Sequence, residues 1–270
     1  MREYPVGKVC SVLELSRSAY YYKLKHPSKA EASKETENVV KMFYKHFGNF
    51  GRRTLHRELA KENVYVSERK ITQILKEQGL RSKYGRRKGK NVHTSPTTSK
   101  EYIAENLYPK LSEEDRRRDI LSIDFTEEKI NGKKVYTCGI INVNTKVLEA
   151  KKVNCKNNSE SACEVIEQAI KKYGVPYMIL SDRGSPFVSK SLRELLQKYG
   201  IIHSMSRPHT PSDNCFIETF WKTMKTEIGN VKNLTSEQYR IIVEYYIHYY
   251  NCERPHSSLN YKPPLANSQI

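Results

Sequence analysis

The chain has 270 residues, 37% of them hydrophobic and 29% charged, which suits a soluble protein of more than one domain with a sizeable buried core. There is no run of 18 or more apolar residues, so no membrane span is expected, and the opening MREYPVGKVCSVLEL lacks the apolar stretch of a secretory signal, so a cytoplasmic location is expected. The net charge of +17 favours a polyanionic partner, although charge by itself does not separate a DNA-binding protein from an RNA-binding one.

The positive excess sits mostly in front: residues 1–119 hold 27 Lys and Arg against 15 Asp and Glu, and the remainder holds 20 against 15. The six cysteines (Cys10, Cys138, Cys155, Cys163, Cys215 and Cys252) form no CxxC pair, so neither a zinc module nor a disulfide framework is expected.

In chain order, residues 7–25 carry a short apolar pattern and a Tyr cluster that read as a small helix pair. Residues 36–46 are helix-like, and Gly48 and Gly51 interrupt the pattern. Leu55 and Leu59 at i, i+4 spacing predict an amphipathic helix over 52–62. Ser67 predicts an N-cap for a helix over 68–78, with Ile71, Ile74 and Leu75 on one face and Gly79 as its stop. Arg69, Lys70 and Gln73 lie off the apolar face. The pattern suits a helix-turn-helix reader, and a plain three-helix bundle equally well. Residues 81–100 hold seven Lys and Arg and no acid among Gly, Ser, Thr and Pro, which reads as a basic linker able to track phosphates.

From residue 119 the texture changes. Residues 119–126 alternate, with Leu121, Ile123 and Phe125 on one face and Ser122, Asp124 and Thr126 on the other. Asn131-Gly132 is a hairpin turn signal leading to a second strand over 134–143, and a third spans 147–153. A helix over 159–173, a buried strand over 177–181, a helix over 189–199 and a strand over 201–205 follow. The loop 206–212 is expected to be mobile. Helices over 213–228 and 236–250 close the chain. Strands in a meander followed by crossover units imply a mixed five-stranded sheet flanked by helices, a ribonuclease H-like α/β fold preceded by an all-α region. The expected divisions are 1–35 (small helical segment), 36–80 (helix-turn-helix-like), 81–118 (basic linker), 119–230 (catalytic core) and 231–270 (C-terminal helix and tail).

This element order offers three carboxylates to one place. Asp124 lies mid-strand, Asp182 ends the fourth strand, and Glu218 lies on the helix after the fifth, beside the stripe Ile217, Phe220, Trp221, Met224 and Ile228. Asn214, Lys222 and Lys225 share a line with Glu218 along that helix. Phosphodiester chemistry needs an activated attacking oxygen and neutralised charge on the phosphate. Two Mg²⁺ ions held by carboxylates supply both. For any one of these acids the alternative is a solvated charge or a cap.

The stretches LSDRGSPFVS (180–189), DNCFIETFWKTMKTE (213–227) and YYNCERPHSSLNYKPP (249–264), with 35 residues between Asp182 and Glu218, resemble the DDE transposases of the insertion sequence 3 family, OrfB type. The front segments at 8–24 and 50–80 resemble that family's helix-turn-helix regions. The resemblance covers nearly the whole chain. It implies a retroviral-integrase-like catalytic core, binding to the terminal inverted repeats of an insertion sequence, and metal-dependent DNA cleavage and strand transfer during transposition.

By the same resemblance Asp124, Asp182 and Glu218 are catalytic metal ligands for Mg²⁺ or Mn²⁺, as two ions. Candidate DNA contacts are Arg52, Arg53, Arg69, Lys70, Gln73, Arg86, Arg87, Arg207, Asn214, Lys222 and Lys225. Implied partners are DNA, further copies in a synaptic complex, and an upstream-frame helix-turn-helix protein, free or fused by frameshifting. The alternative function is a catalytically inactive or partial remnant that only binds DNA. Tyr249, Tyr250, Arg254 and His256 raise a tyrosine recombinase as a competitor. With the three acids present, structural or DNA-contacting roles are favoured for them.

Overall fold

A computed structural model describes residues 29–83, 103–208 and 210–267. The chain divides into two compact units, 1–87 and 88–270. The helix pair expected over 7–25 lies outside the described residues, as do Arg86 and Arg87 and most of the basic stretch.

In the first unit, α1 (Lys29–Lys45), α2 (Arg52–Lys61) and α3 (Glu68–Glu77) close around Val39, Met42, Phe43, Phe50, Leu55, Leu59, Ile71 and Ile74. Helix α1 begins well before the apolar stripe that signals it, because Lys29–Lys34 is composed of good helix formers. The expected boundary at 35 and 36 therefore falls inside a helix. The α3 N-cap forms as expected, Ser67 Oγ accepting from the Lys70 N–H at 3.3 Å. At the turn after α1, Gly48 takes φ of +69° and donates its N–H to the Phe43 carbonyl.

The second unit is built on β1 (Ile120–Ile130), β2 (Lys133–Asn142), β3 (Leu148–Cys155), β4 (Met178–Ser181) and β5 (Ile202–Met205), in the order β3-β2-β1-β4-β5. Strands β1 to β3 are antiparallel, and β4 and β5 run parallel to β1. Asn131 and Gly132 both take positive φ (46° and 78°), the requirement of a two-residue hairpin.

The remaining helices are α4 (Glu113–Arg116), α5 (Ser159–Tyr173), α6 (Lys190–Tyr199), α7 (Cys215–Ile228), α8 (Ser236–Cys252) and α9 (Pro264–Asn267). This is the ribonuclease H-like arrangement: one mixed sheet with helices on both faces. One face buries Leu121, Ile123, Cys138 and Ile140 against α5 and α6. The other buries Ile141 and Leu148 against Ile217, Phe220, Trp221 and Met224 of α7 and the aromatic side of α8. The adjacent Ile140 and Ile141 thus serve opposite cores, as strand periodicity requires.

Residues 103–118, expected to belong to a linker, pack on the second unit instead. Ala104 is buried in the first core, and the N–H groups of Leu107 and Tyr108 donate to Ser204 Oγ at 2.9 and 3.2 Å. The apolar residues Ala104, Leu107, Tyr108 and Leu111 drive this, because a tether would leave them in water.

Candidate active site

Helix α7 is laid along β1 and β2 by a series of contacts spaced about one turn apart. At its start Asn214 turns inward: Ser122 Oγ donates to Asn214 Oδ1 at 2.6 Å, and Asn214 Nδ2 donates to the Ile123 carbonyl at 3.4 Å. Two turns on, the Trp221 ring lies over Gly139, which pairs with Asp124 across the β1–β2 ladder. A Cβ at position 139 would stand 2.8 and 2.9 Å from Trp221 ring carbons, so only glycine admits the helix at this distance. One turn further, Lys225 Nζ donates to the Glu127 carbonyl at 2.7 Å and pairs with Glu128 at 3.2 Å. Glu218 lies between these contacts, one residue from the fully buried Ile217 and itself exposed.

The three acids come from three separate elements and feel one another's charge. Asp124, half-buried on β1, is pushed well above the usual carboxylate range, first by burial and then by the negative charge of Asp182. The Phe125 N–H and Lys225 oppose the shift, and Glu218 adds to it. Glu218 is pushed up by burial and by Asp182. Asp182, just past the end of β4, is open to water at its surface yet flanked by enough protein to be raised by desolvation, opposed by the Gly184 N–H that donates to its Oδ1 at 2.8 Å.

Among the described residues, no three His, Cys, Asp or Glu side chains stand close enough to hold one ion.

The turn that carries Asp182 is braced from β5. Ser181 Oγ lies 2.9 Å from His203 Nε2, and the Ser181 carbonyl accepts from the N–H and hydroxyl of Ser206 at 2.9 and 3.1 Å. Burial lowers the His203 imidazole to about 4, so it stays neutral beside the acids. The Arg183 Nε donates to the Ser206 carbonyl at 2.8 Å. Within the loop 206–212, Arg207 is tied to Asp213. Asp213 accepts from the Arg207 N–H at 2.9 Å, from its guanidinium at 3.0 Å, and from Asn106 Nδ2 at 2.7 Å. Arg207, by its guanidinium bond first and then by its N–H and its charge, holds the Asp213 carboxyl below its ordinary range against the opposing effect of burial.

The expected DNA contacts fall into two groups. Arg52, Arg53, Arg69 and Gln73 are exposed in the first unit and Lys70 is partly so, with Arg52 paired to Glu68 at 3.3 Å and Gln73 bonded to Glu77 at 2.7 Å. In the second unit Lys222 is exposed on α7. Asn214 is a correction: at 2% exposure it bonds to β1 and has no surface to offer DNA. Lys225 and Arg207 are engaged by the protein's own acids, although Arg207 remains largely open to solvent.

Sequence reasoning missed Gly139, and it placed Ser122 on the face of Asp124 without a role. The signal for Gly139 was available, since a glycine inside a strand often marks a close approach. Tyr249 and Tyr250, weighed as a recombinase feature, are 3% and 2% exposed in the aromatic core beneath α8, which makes them structural.

The sheet order and its flanking helices are those of an integrase-type core. The family models for the integrase core domain match residues 114–211 and 199–264, and the model for an HTH-like domain matches residues 30–88. The chain is 25% identical to the transposase for insertion sequence element IS904 of Lactococcus lactis over 89% of this chain and 96% of that protein. It is 28% identical to a 31 kDa protein of insertion element IS600 of Shigella sonnei over 96% of both. Among solved structures, the catalytic core domain of HTLV-2 integrase aligns with 55% of this chain and 95% of that one, at 18% identity and a TM-score of 0.46. The chain is a transposase of the insertion-sequence kind, joining an HTH-like domain to an integrase core domain.

Proposed function

We propose that Asp124, Asp182 and Glu218 are the catalytic carboxylates of this transposase and that together they hold divalent cations, two Mg²⁺ or Mn²⁺ ions. The supporting observation is the seating of α7, which sets Glu218 where its charge acts on Asp124 and where the charge of Asp182 acts on it. The donor set suits a hard cation, because all three side chains offer carboxylate oxygen and no sulfur or imidazole stands among them. Bound cations would neutralise charge on the phosphate and activate the attacking oxygen.

The chain's own residues do the rest. The Gly184 N–H and the Ser181–His203 pair fix the turn that presents Asp182. Lys222, exposed one turn beyond Glu218, meets substrate phosphates. In the first unit Arg52, Arg53, Arg69, Lys70 and Gln73 contact the terminal repeats, and Arg86 and Arg87 extend the basic track. Two copies or more would join two element ends in a synaptic complex, with or without an upstream-frame helix-turn-helix partner.

The test uses purified protein, Mg²⁺ and DNA carrying the element ends. Glu218→Gln should lose several kcal/mol of transition-state stabilisation, a fall in nicking of at least about a hundredfold, while end binding persists. Nicking by this variant at the parental rate would remove Glu218 from the site.

A further inference from the structure

The C-terminal segment after α8 reaches back to the far end of α7. Glu227, on the last turn of α7, is 4% exposed, and its carboxylate accepts a forked pair of bonds from Arg254: Nε at 2.9 Å and the terminal nitrogen at 2.7 Å to the same oxygen. Tyr246 of α8 donates its hydroxyl to the other carboxylate oxygen at 3.1 Å. The Arg254 side chain is 12% exposed and also lies over the Tyr250 ring at 5.9 Å. The Tyr250 ring meets Phe220 edge-on at 4.8 Å, and Phe220 meets Trp221 at 4.9 Å. A continuous set of contacts thus runs from Arg254 to the ring seated on Gly139, three residues from Glu218.

We propose that Arg254 is a positioning residue for the reaction: by gripping Glu227 it holds α7 down on the sheet and so sets the place of Glu218. This rests on the carboxylate reading above. Asn214 pins the front of α7 and Lys225 its side, and Arg254 is the grip nearest its end, supplied by a segment far along the chain. A planar guanidinium that holds the carboxylate with two of its nitrogens resists both sliding and rotation of the helix, which a single ammonium does not. Misplacement by an ångström of a group that must meet its partners closely costs roughly a hundredfold in rate.

The chain contains a single tryptophan, Trp221, so its fluorescence reports the seating of α7 directly. The experiment compares the full-length parent with Arg254→Lys and with the double variant Glu227→Gln/Arg254→Gln. The double variant strands no buried charge and guards against simple unfolding. Three quantities are measured: acrylamide quenching of Trp221, affinity for element-end DNA, and the Mg²⁺ dependence of single-turnover nicking.

The expected result is increased quenching, end affinity within about twofold of the parent, nicking slowed by roughly tenfold or more, and a higher Mg²⁺ requirement in both variants, the lysine being the milder. Parental quenching and parental Mg²⁺ dependence in a folded double variant would overturn the proposal while leaving the carboxylate reading intact. Parental nicking by Glu218→Gln in the same assay would overturn the carboxylate reading and the proposal with it.

Discussion

Single side chains here owe their properties to what surrounds them more than to their own chemistry. Glu149 of β3 shows this away from the three acids proposed to be catalytic. One of its oxygens accepts from Asn142 Nδ2 at 2.9 Å, the other is buried without a partner, and the same Asn142 amide donates to Asp119 at 2.6 Å. Burial, with Asp119 adding to it, raises the Glu149 carboxyl from 4.5 to about 7. An acid whose folded pKa exceeds its unfolded one binds more protons folded than unfolded between those two values. Stability therefore falls as pH rises from about 4.5 to 7 and stays lower above it. Glu149→Gln should remove that slope and stabilise the protein at pH 8 by about 1–3 kcal/mol relative to the parent. Urea unfolding at pH 5 and pH 8 checks this, and an unchanged pH slope in the variant would count against it.

At the scale of elements, the question is how a surface helix comes to hold Glu218, proposed here as a catalytic acid, in a defined place. The apolar stripe of α7 states which face is buried, but a stripe permits sliding along the sheet. The slide is stopped by specific contacts: Asn214 on Ser122, Trp221 on Gly139, and Lys225 on Glu127 and Glu128. The tightest of them is the Trp221–Gly139 approach. Gly139→Ala must push the indole, and α7 with it, away from β2, for an overpacking cost of about 1–3 kcal/mol. Nicking should fall by roughly ten- to a hundredfold, and Trp221 emission should change. A variant with parental melting temperature, emission and nicking would show that the approach is not needed.

For the whole molecule, the two units divide the work of an insertion-sequence transposase, DNA binding in front and the integrase core behind. Its charge of +17 acts on DNA as a sum over many phosphates. Counterion release then makes the affinity for duplex DNA fall by about 10³-fold between 50 and 200 mM salt if roughly six phosphates are contacted. Fluorescence anisotropy on a labelled duplex measures the slope, and a salt-independent affinity would contradict electrostatic binding. No helix among the described residues is long and apolar enough to cross a membrane.

Local pattern was enough to place the strands of the sheet, the capped helix at 68–77, the hairpin at 131 and 132, and the stripe of α7, because apolar spacing, caps and turn residues act within a few positions of chain. The spacing of Asp124, Asp182 and Glu218 was likewise visible, since each lies at a recognisable point of its own element. Other features were invisible at that level: the inward turn of Asn214, the docking of residues 103–118 beside β5, and the grip of Arg254 on Glu227. Each depends on a partner tens of residues away. Hydrogen bonds and close ring contacts are decided by distances of a few tenths of an ångström, which only the assembled chain defines.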